Sequence, residues 1–312
     1  MTIGRRSDIY VLSVSSLLGL CMNEQTVLEK LHKNGITATD IATQFWCEKQ
    51  MELNCMHKPT PTKAMEKGTK MHDAWQAKVY VPLSVETHTY MDFLYKCAYE
   101  NYRNLQRLMT DKVGREIMVY GSLNGYRLSG KIDELQLRDG KVAIVEDKTV
   151  SPFITVDEAH SRPHVVQVML YRKMLEDIKN KSYSYDNFSK VYRIKDAKLS
   201  EEFSKGLREI GVKDEFLSID SMYAKMFLEM QRLPELSDDL EIRYTDRRSN
   251  QTVADINVKY DSAAIEKNLI YAMQYWRGER EANPVSEAEK WKCKPCKFFG
   301  NQCKVCYVPH PQ

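Results

Sequence analysis

The chain has 312 residues, 43% hydrophobic and 29% charged, a composition that fits a globular protein and excludes disordered and collagen-like classes. Its net charge of +3 is too mild to identify a nucleic-acid partner by itself. The distribution says more: Lys290, Lys292, Lys294, Lys297 and Lys304 all fall in a cysteine-rich tail.

At the N-terminus, Arg5 and Arg6 precede an apolar run from Tyr10 to Met22. The run reads as a leader or organellar presequence, or as a helix packed on the core. It is too short to span a membrane. Asn34-Gly35 marks a turn, and Thr37-x-x-Asp40 has the form of a capping box, so a helix is expected from near Asp40 to about Leu53. Pro59 and Pro61 break it. A second helix is expected over Lys63 to Tyr80 and a third over Tyr90 to Thr110. Tyr95, Tyr99 and Tyr102 recur on the third at helical spacing, which favours core positions over base-stacking platforms.

From Glu116 the hydrophobic period changes to two. Glu116–Tyr120, Tyr126–Arg138 and Lys141–Val150 read as a strand meander. A helix follows from about Val165 to Lys179, then a strand near Lys190–Ile194 and helices within 200–232. A hairpin is expected with arms at Leu240–Tyr244 and Thr252–Val258. A last helix, Ser262 to Arg277, carries Ile265, Leu269, Met273 and Trp276 on one face. Mixed strands and helices give an α/β class.

The chemistry concentrates in the second hairpin of the meander. Asp139-Gly140 is a strong two-residue turn signal. With Arg138 paired to Lys141, Asp133 falls opposite Glu146, Leu135 opposite Ile144, and Leu137 opposite Val142. Lys148, two residues beyond Glu146, shares their face and lies opposite Lys131. Facing carboxylates repel. On a face that is otherwise core they call for a compensating charge, which a hard divalent cation supplies. A solvated acidic patch is the plainer alternative.

Eight cysteines are present. Cys293-x-x-Cys296 and Cys303-x-x-Cys306 have the spacing of a four-cysteine metal site, and zinc is the first local choice. Cys21, Cys47, Cys55 and Cys97 are dispersed, and no disulfide framework is indicated.

Gly130-Lys131-Ile132-Asp133, Glu146-Asp147-Lys148 and Gln167-x-x-x-Tyr171, in that order, resemble the GxxD, (D/E)xK and QxxxY series of RecB-like nucleases. Gly68-Thr69-x-x-His72 resembles the helix-borne histidine of the same group. Trp46-Cys47-Glu48-x-Gln50 and Trp291-Lys292-Cys293-Lys294-x-Cys296, together with Tyr275-Trp276-x-Gly278-x-Arg280, are similar to the exonuclease V family more than to the shorter CRISPR-associated relatives. The resemblance begins at Gly35.

It implies a restriction-endonuclease-like (PD-(D/E)XK) mixed sheet flanked by helices, with a C-terminal cysteine-cluster cap. It implies a nuclease domain over 35–312, with a core at 62–180, an elaboration at 181–290 and a cluster segment at 291–306 joined by Cys47. Residues 1–34 form an extension outside the resemblance. Asp133 and Glu146 are implied as Mg²⁺ or Mn²⁺ ligands with His72, Lys148 as the catalytic lysine, and Gln167 and Tyr171 as its partners or as DNA contacts. Glu116 reads as a strand-edge surface charge, with a place near the acids as the alternative.

Cys47, Cys293, Cys296 and Cys303 are implied as ligands of a [4Fe–4S] cluster, a link that closes a loop of about 245 residues. Six residues separate Cys296 from Cys303, one more than the family is expected to have, which keeps Cys306 as an alternative ligand. The implied activity is metal-dependent exonuclease action on single-stranded DNA in repair or replication, by an intracellular, nuclear or cytoplasmic monomer without a membrane partner. A mitochondrial address and a single-stranded-DNA-binding protein as partner are further expectations, and the tail lysines are expected to line the opening for the strand. The competing readings are a CRISPR-adaptation nuclease and a catalytically silent DNA-binding protein with a structural zinc.

Overall fold

The computed structural model describes residues 25–57, 61–80, 82–151 and 155–304. The apolar run from Tyr10 to Met22, Cys21, Pro59 and Cys306 lie outside them. The elements follow in chain order. Helix α1 (Val27–Lys30), strand β1 (Ile36–Thr37) and helices α2 (Ala38–Met56), α3 (Lys63–Val79) and α4 (Tyr90–Thr110) precede the meander β2 (Val113–Leu123), β3 (Tyr126–Arg138) and β4 (Lys141–Val150). Helices α5 (Glu158–Lys179), α6 (Tyr185–Tyr192), α7 (Glu201–Glu209) and α8 (Ile219–Gln231) lead to the hairpin β5 (Asp239–Asp246) and β6 (Thr252–Lys259), then to α9 (Ser262–Trp276).

The caps explain several helix starts. Thr37 and Asp40 close a reciprocal capping box at α2, and Thr89 and Asp92 do the same at α4, each satisfying backbone amides that a helix start leaves open. Asp92 also accepts from the Ser200 amide and hydroxyl, at 2.9 and 2.8 Å, which ties the start of α7 to α4. Leu31, just after α1, is buried in the main core, so the chain joins the packed body before Gly35.

Two turns organise the meander. Asn124-Gly125 joins β2 to β3 and Asp139-Gly140 joins β3 to β4, with all four residues at positive φ. That geometry matches the twist of the flanking strands. The β3–β4 register is the expected one, from Arg138 opposite Lys141 to Glu134 opposite Val145. The mixed sheet has the order β1-β3-β4-β5-β6, with β2 on the other side of β3. β1 and β3 run parallel, as do β4 and β5; the other pairs are antiparallel. Ile132 and Leu135 of β3 point to opposite faces and are both buried, so helices cover the sheet on both sides.

One edge of β3 is divided between two partners. It pairs with β1 at Leu128 and Ser129, and with β4 from Glu134 onward. Residues 130–133 fall between those two ladders, and the acid site lies there.

Two sequence expectations change. The strand expected near Lys190–Ile194 is the end of α6 and the turn after it, where Arg193 adopts a left-handed conformation. A capping box between Ser184 and Asn187 starts that helix, and Phe188 holds it by stacking on Tyr192 and Tyr223. Helix α5 begins at Glu158 rather than Val165. Pro163 lacks an amide donor and reads as a boundary, yet Asp157 caps the helix further upstream and Pro163 is buried inside it.

Candidate active site

Asp133 sits where both ladders of β3 lapse. Pairing flanks it at Ile132 and Glu134 on the β2 side and resumes at Glu134 on the β4 side. In place of a strand–strand bond, the Asp147 amide donates to the Asp133 carboxylate at 2.9 Å. Glu146 and Lys148 follow on β4, and Lys148 Nζ donates to Glu146 Oε1 at 2.6 Å and to Gln167 Oε1 at 3.0 Å. Gln167 in turn donates to the Tyr171 hydroxyl at 2.8 Å, as the i,i+4 spacing on α5 allows. Residues 133, 146, 148, 167 and 171 therefore share one cleft, with His72 and Lys131 on its rim.

Two glycines make this packing possible. A Cβ on Gly130 would lie 2.6 Å from the Tyr171 ring, and a Cβ on Gly68 would lie 2.8 Å from the Thr149 hydroxyl. Gly68 lets α3 approach β4 closely, which brings His72 to within 3.8 Å of Asp133.

The electrostatics are unbalanced. Burial raises the pKa of Glu146, and the Asp133 charge raises it further. Burial also raises that of Asp133, against the opposing pull of Lys148 and His72. Burial alone would lower the pKa of Lys148, but Glu146 and Asp133 outweigh it and keep the ammonium protonated. Glu146 Oε2 is buried without a hydrogen-bond partner. A buried acceptor of that kind costs free energy until something supplies positive charge.

Glu116 is the residue that sequence reasoning placed at the surface. It stands across from Asp133 in the β2–β3 register, between the Arg115–Glu134 and Ile117–Ile132 pairs. Its φ of 55° lies in the left-handed region, a conformation that a non-glycine residue adopts at a cost of about 1–3 kcal/mol. Ligating atoms of His72, Glu116 and Asp133 lie within 4.8 Å of one another, and Lys131 forms an ion pair with Glu116. The signal available in the sequence was the position of Glu116 opposite Asp133 once β2 is registered on β3.

The cysteines converge on a second cavity. Cys47, Cys293, Cys296 and Cys303 line it together with Trp46 and Phe298. Helix α2 breaks at Cys47, whose φ of −167° and ψ of 112° are extended. Burial raises the Cys47 pKa, and the neighbouring Cys303 and Cys296 raise it further. Four cysteines lining one cavity are the residue type a thiophilic centre takes, since thiolates select zinc or iron–sulfur over hard cations, although among the described residues the only group with its ligating atoms within 4.8 Å of one another is His72, Glu116 and Asp133. The tail lysines do not all face solvent. Lys292 is buried, pairs with Glu289 at 2.7 Å and stands over the Trp46 ring.

The tyrosines of α4 belong to the packing. Tyr95 is fully buried against Tyr99 and Phe203, and Tyr102 packs on Phe216.

A family described as "Exonuclease V - a 5′ deoxyribonuclease" matches residues 27–143, 136–232 and 217–304. The chain belongs to the exonuclease V family. A relative named exonuclease V from Danio rerio is 22% identical over 283 residues, covering 88% of this chain and 72% of that protein. The chain is thus a nuclease, an exodeoxyribonuclease by family, on a mixed α/β fold. Two solved structures align over most of the chain at 12% identity. The crystal structure of SSO0001, with a TM-score of 0.42, covers 90% of this chain and 95% of that one. A candidate exonuclease from Eubacterium rectale, with a TM-score of 0.41, covers 91% and 92%. Among the described residues no helix is long and apolar enough to cross a membrane.

Proposed function

We propose that this chain shortens single-stranded DNA from its 5′ ends by metal-dependent phosphodiester hydrolysis, in DNA repair or replication. The observation that carries this reading is buried Glu146 beside half-buried Asp133, with one ammonium next to them and one Glu146 carboxylate oxygen left without a partner. The polarity rests on the family description.

The donors are oxygens and one imidazole, which suit Mg²⁺ or Mn²⁺. Asp133 and Glu146 would hold the ion, with His72 and Glu116 in reach of it. When bound, such an ion polarises a phosphodiester oxygen and acidifies a water. The chain's own groups do the rest. The Lys148 ammonium offsets charge that grows on the phosphate in the transition state. Gln167 holds that ammonium in place, and Tyr171, buried behind it, fixes the Gln167 amide. The Asp147 amide fixes the Asp133 carboxylate.

For the cysteine site we propose a [4Fe–4S] cluster on Cys47, Cys293, Cys296 and Cys303. The support is that these four cysteines, drawn from both ends of the chain, line one cavity. We further propose that the protein acts as a monomer.

End-labelled single- and double-stranded DNA, digested with Mg²⁺, with Mn²⁺ and with a chelator, tests the activity. Progressive shortening of single strands from the 5′ end, abolished by the chelator, is expected. Equal cutting in the chelator, or internal cuts alone, would overturn it. Broad absorbance near ~400 nm is expected of the purified protein; a colourless protein with stoichiometric zinc would replace the cluster by a zinc site.

A further inference from the structure

The acid cleft continues into a larger one. A cleft of about 540 Å³ is lined by Tyr90 and Phe93 of α4, Arg127 and Lys131 of β3, and Glu116 of β2. Lys131 borders both clefts, and Glu116 has its carboxylate beside His72 and Asp133. A chain lying across the acids has this cleft directly alongside.

Tyr90 and Phe93 are 60% and 52% exposed. Three residues apart on a helix, they are neighbours on its surface. The core makes little use of them, in contrast to Tyr95, Tyr99 and Tyr102 further along the same helix. Arg127 is held in place from behind. Its guanidinium stacks on the Tyr192 ring at 5.0 Å and donates to the Val191 carbonyl at 2.6 Å. Among the described residues it forms no ion pair with a carboxylate.

Exposed rings beside a fixed guanidinium, in a cleft that opens on phosphodiester-cleaving acids, match a nucleotide. Unpaired bases stack on aromatic faces, and their phosphates take a cation. We infer that Tyr90 and Phe93 form a nucleobase-stacking subsite, with Arg127 as its phosphate contact, for the nucleotides next to the bond being cut. The ligand class is an unpaired, single-stranded nucleic-acid segment. The inference rests on the single-strand reading above and adds the residues that grip the strand. An exposed apolar pair can also dock a protein. The shared border with the acids and the uncompensated Arg127 favour the strand.

The test is strand binding by the full chain in chelator, so that nothing is cut. A labelled oligodeoxythymidylate is compared with a series in which one abasic residue is walked along it. The wild-type protein should lose affinity about ten-fold or more when the gap reaches the subsite, in keeping with stacking energies of roughly 1–3 kcal/mol per base. The variant Tyr90→Ala/Phe93→Ala should bind the intact strand about as weakly as the wild type binds that gapped one, with no further loss at that position. Tyr90→Trp should keep the affinity and add fluorescence that the strand quenches.

Equal affinity of the double variant and wild type, the result a protein-docking pair would give, overturns the subsite. So does an undiminished abasic penalty in the variant, or an added tryptophan that the strand leaves unquenched. A wild-type protein with no affinity for single strands overturns the single-strand reading as well, which separates the two failures.

Discussion

Strands β3 and β4 carry two acid pairs on opposite faces. On one face Glu134 and Asp147 are buried between arginines: Arg115 pairs with both, and Arg243 reaches Asp147 at 3.3 Å and Glu134 at 3.7 Å. On the other, Asp133 and Glu146 share one lysine, and an oxygen of Glu146 has no partner. Each acid on one face is the chain neighbour of an acid on the other, so exposure and strand propensity do not separate them. Charge balance does. Compensated acids hold the sheet together, whereas the pair left uncompensated is the one proposed above to hold the cation.

Removing an arginine should therefore cost stability, and removing the lysine should cost chemistry. Arg115→Ala leaves Glu134 and Asp147 short of their buried partner, and about 3–5 kcal/mol of unfolding free energy is expected to go. Denaturant unfolding checks it, and an unchanged midpoint would break the contrast between the faces. Lys148→Ala should slow strand degradation about a hundred- to thousand-fold, the size expected when one charge-stabilising donor is lost, with a smaller fall in the unfolding midpoint than Arg115→Ala, since one buried acid rather than two loses its partner. Wild-type rates would remove Lys148 from the chemistry.

Gly130→Ala tests the gap between the two ladders. The added methyl meets the Tyr171 ring and the Ala38 Cβ; overpacking of this kind costs about 1–3 kcal/mol. Because Tyr171 supports Gln167, activity should fall with stability, whereas Gly125→Ala, where a Cβ meets nothing but φ is +83°, should lower stability alone. Equal loss of activity in both would show that Tyr171 does not transmit the effect.

The smallest expected effect concerns His164, which approaches the Tyr244 hydroxyl at 2.9 Å. Burial lowers its pKa from 6.5 to about 3, helped by Lys148 and His160. The unfolded chain then takes up this proton first. The stability that His164 contributes is complete above its unfolded pKa and is lost as pH falls from about 6.5 towards 3. His164→Gln should make the fall of the unfolding midpoint over that window shallower. An identical slope would show that the imidazole is not held neutral in the fold.

The hairpin was legible because its information is local. Side-chain alternation and a two-residue turn give Leu135 opposite Ile144 without any tertiary contact, and the helix caps at Thr37 and Thr89 are equally local. Glu116 was only partly legible: registering β2 on β3 sets it across from Asp133, but its left-handed φ and the approach of His72 from α3 to the same spot are tertiary outcomes. Nor was the end of α6, where stacking of Phe188 on Tyr192 and Tyr223 outweighs a short β-like run.

By itself, then, the sequence determined the strand register, the face shared by residues 133, 146 and 148, and the i,i+4 pairing of Gln167 with Tyr171, because backbone periodicity sets all three. Only the tertiary structure decided which buried acids receive arginines, that α2 breaks at Cys47, and that cysteines from positions 47 and 293–303 line one cavity. These depend on packing between segments far apart in the chain, which no local pattern encodes.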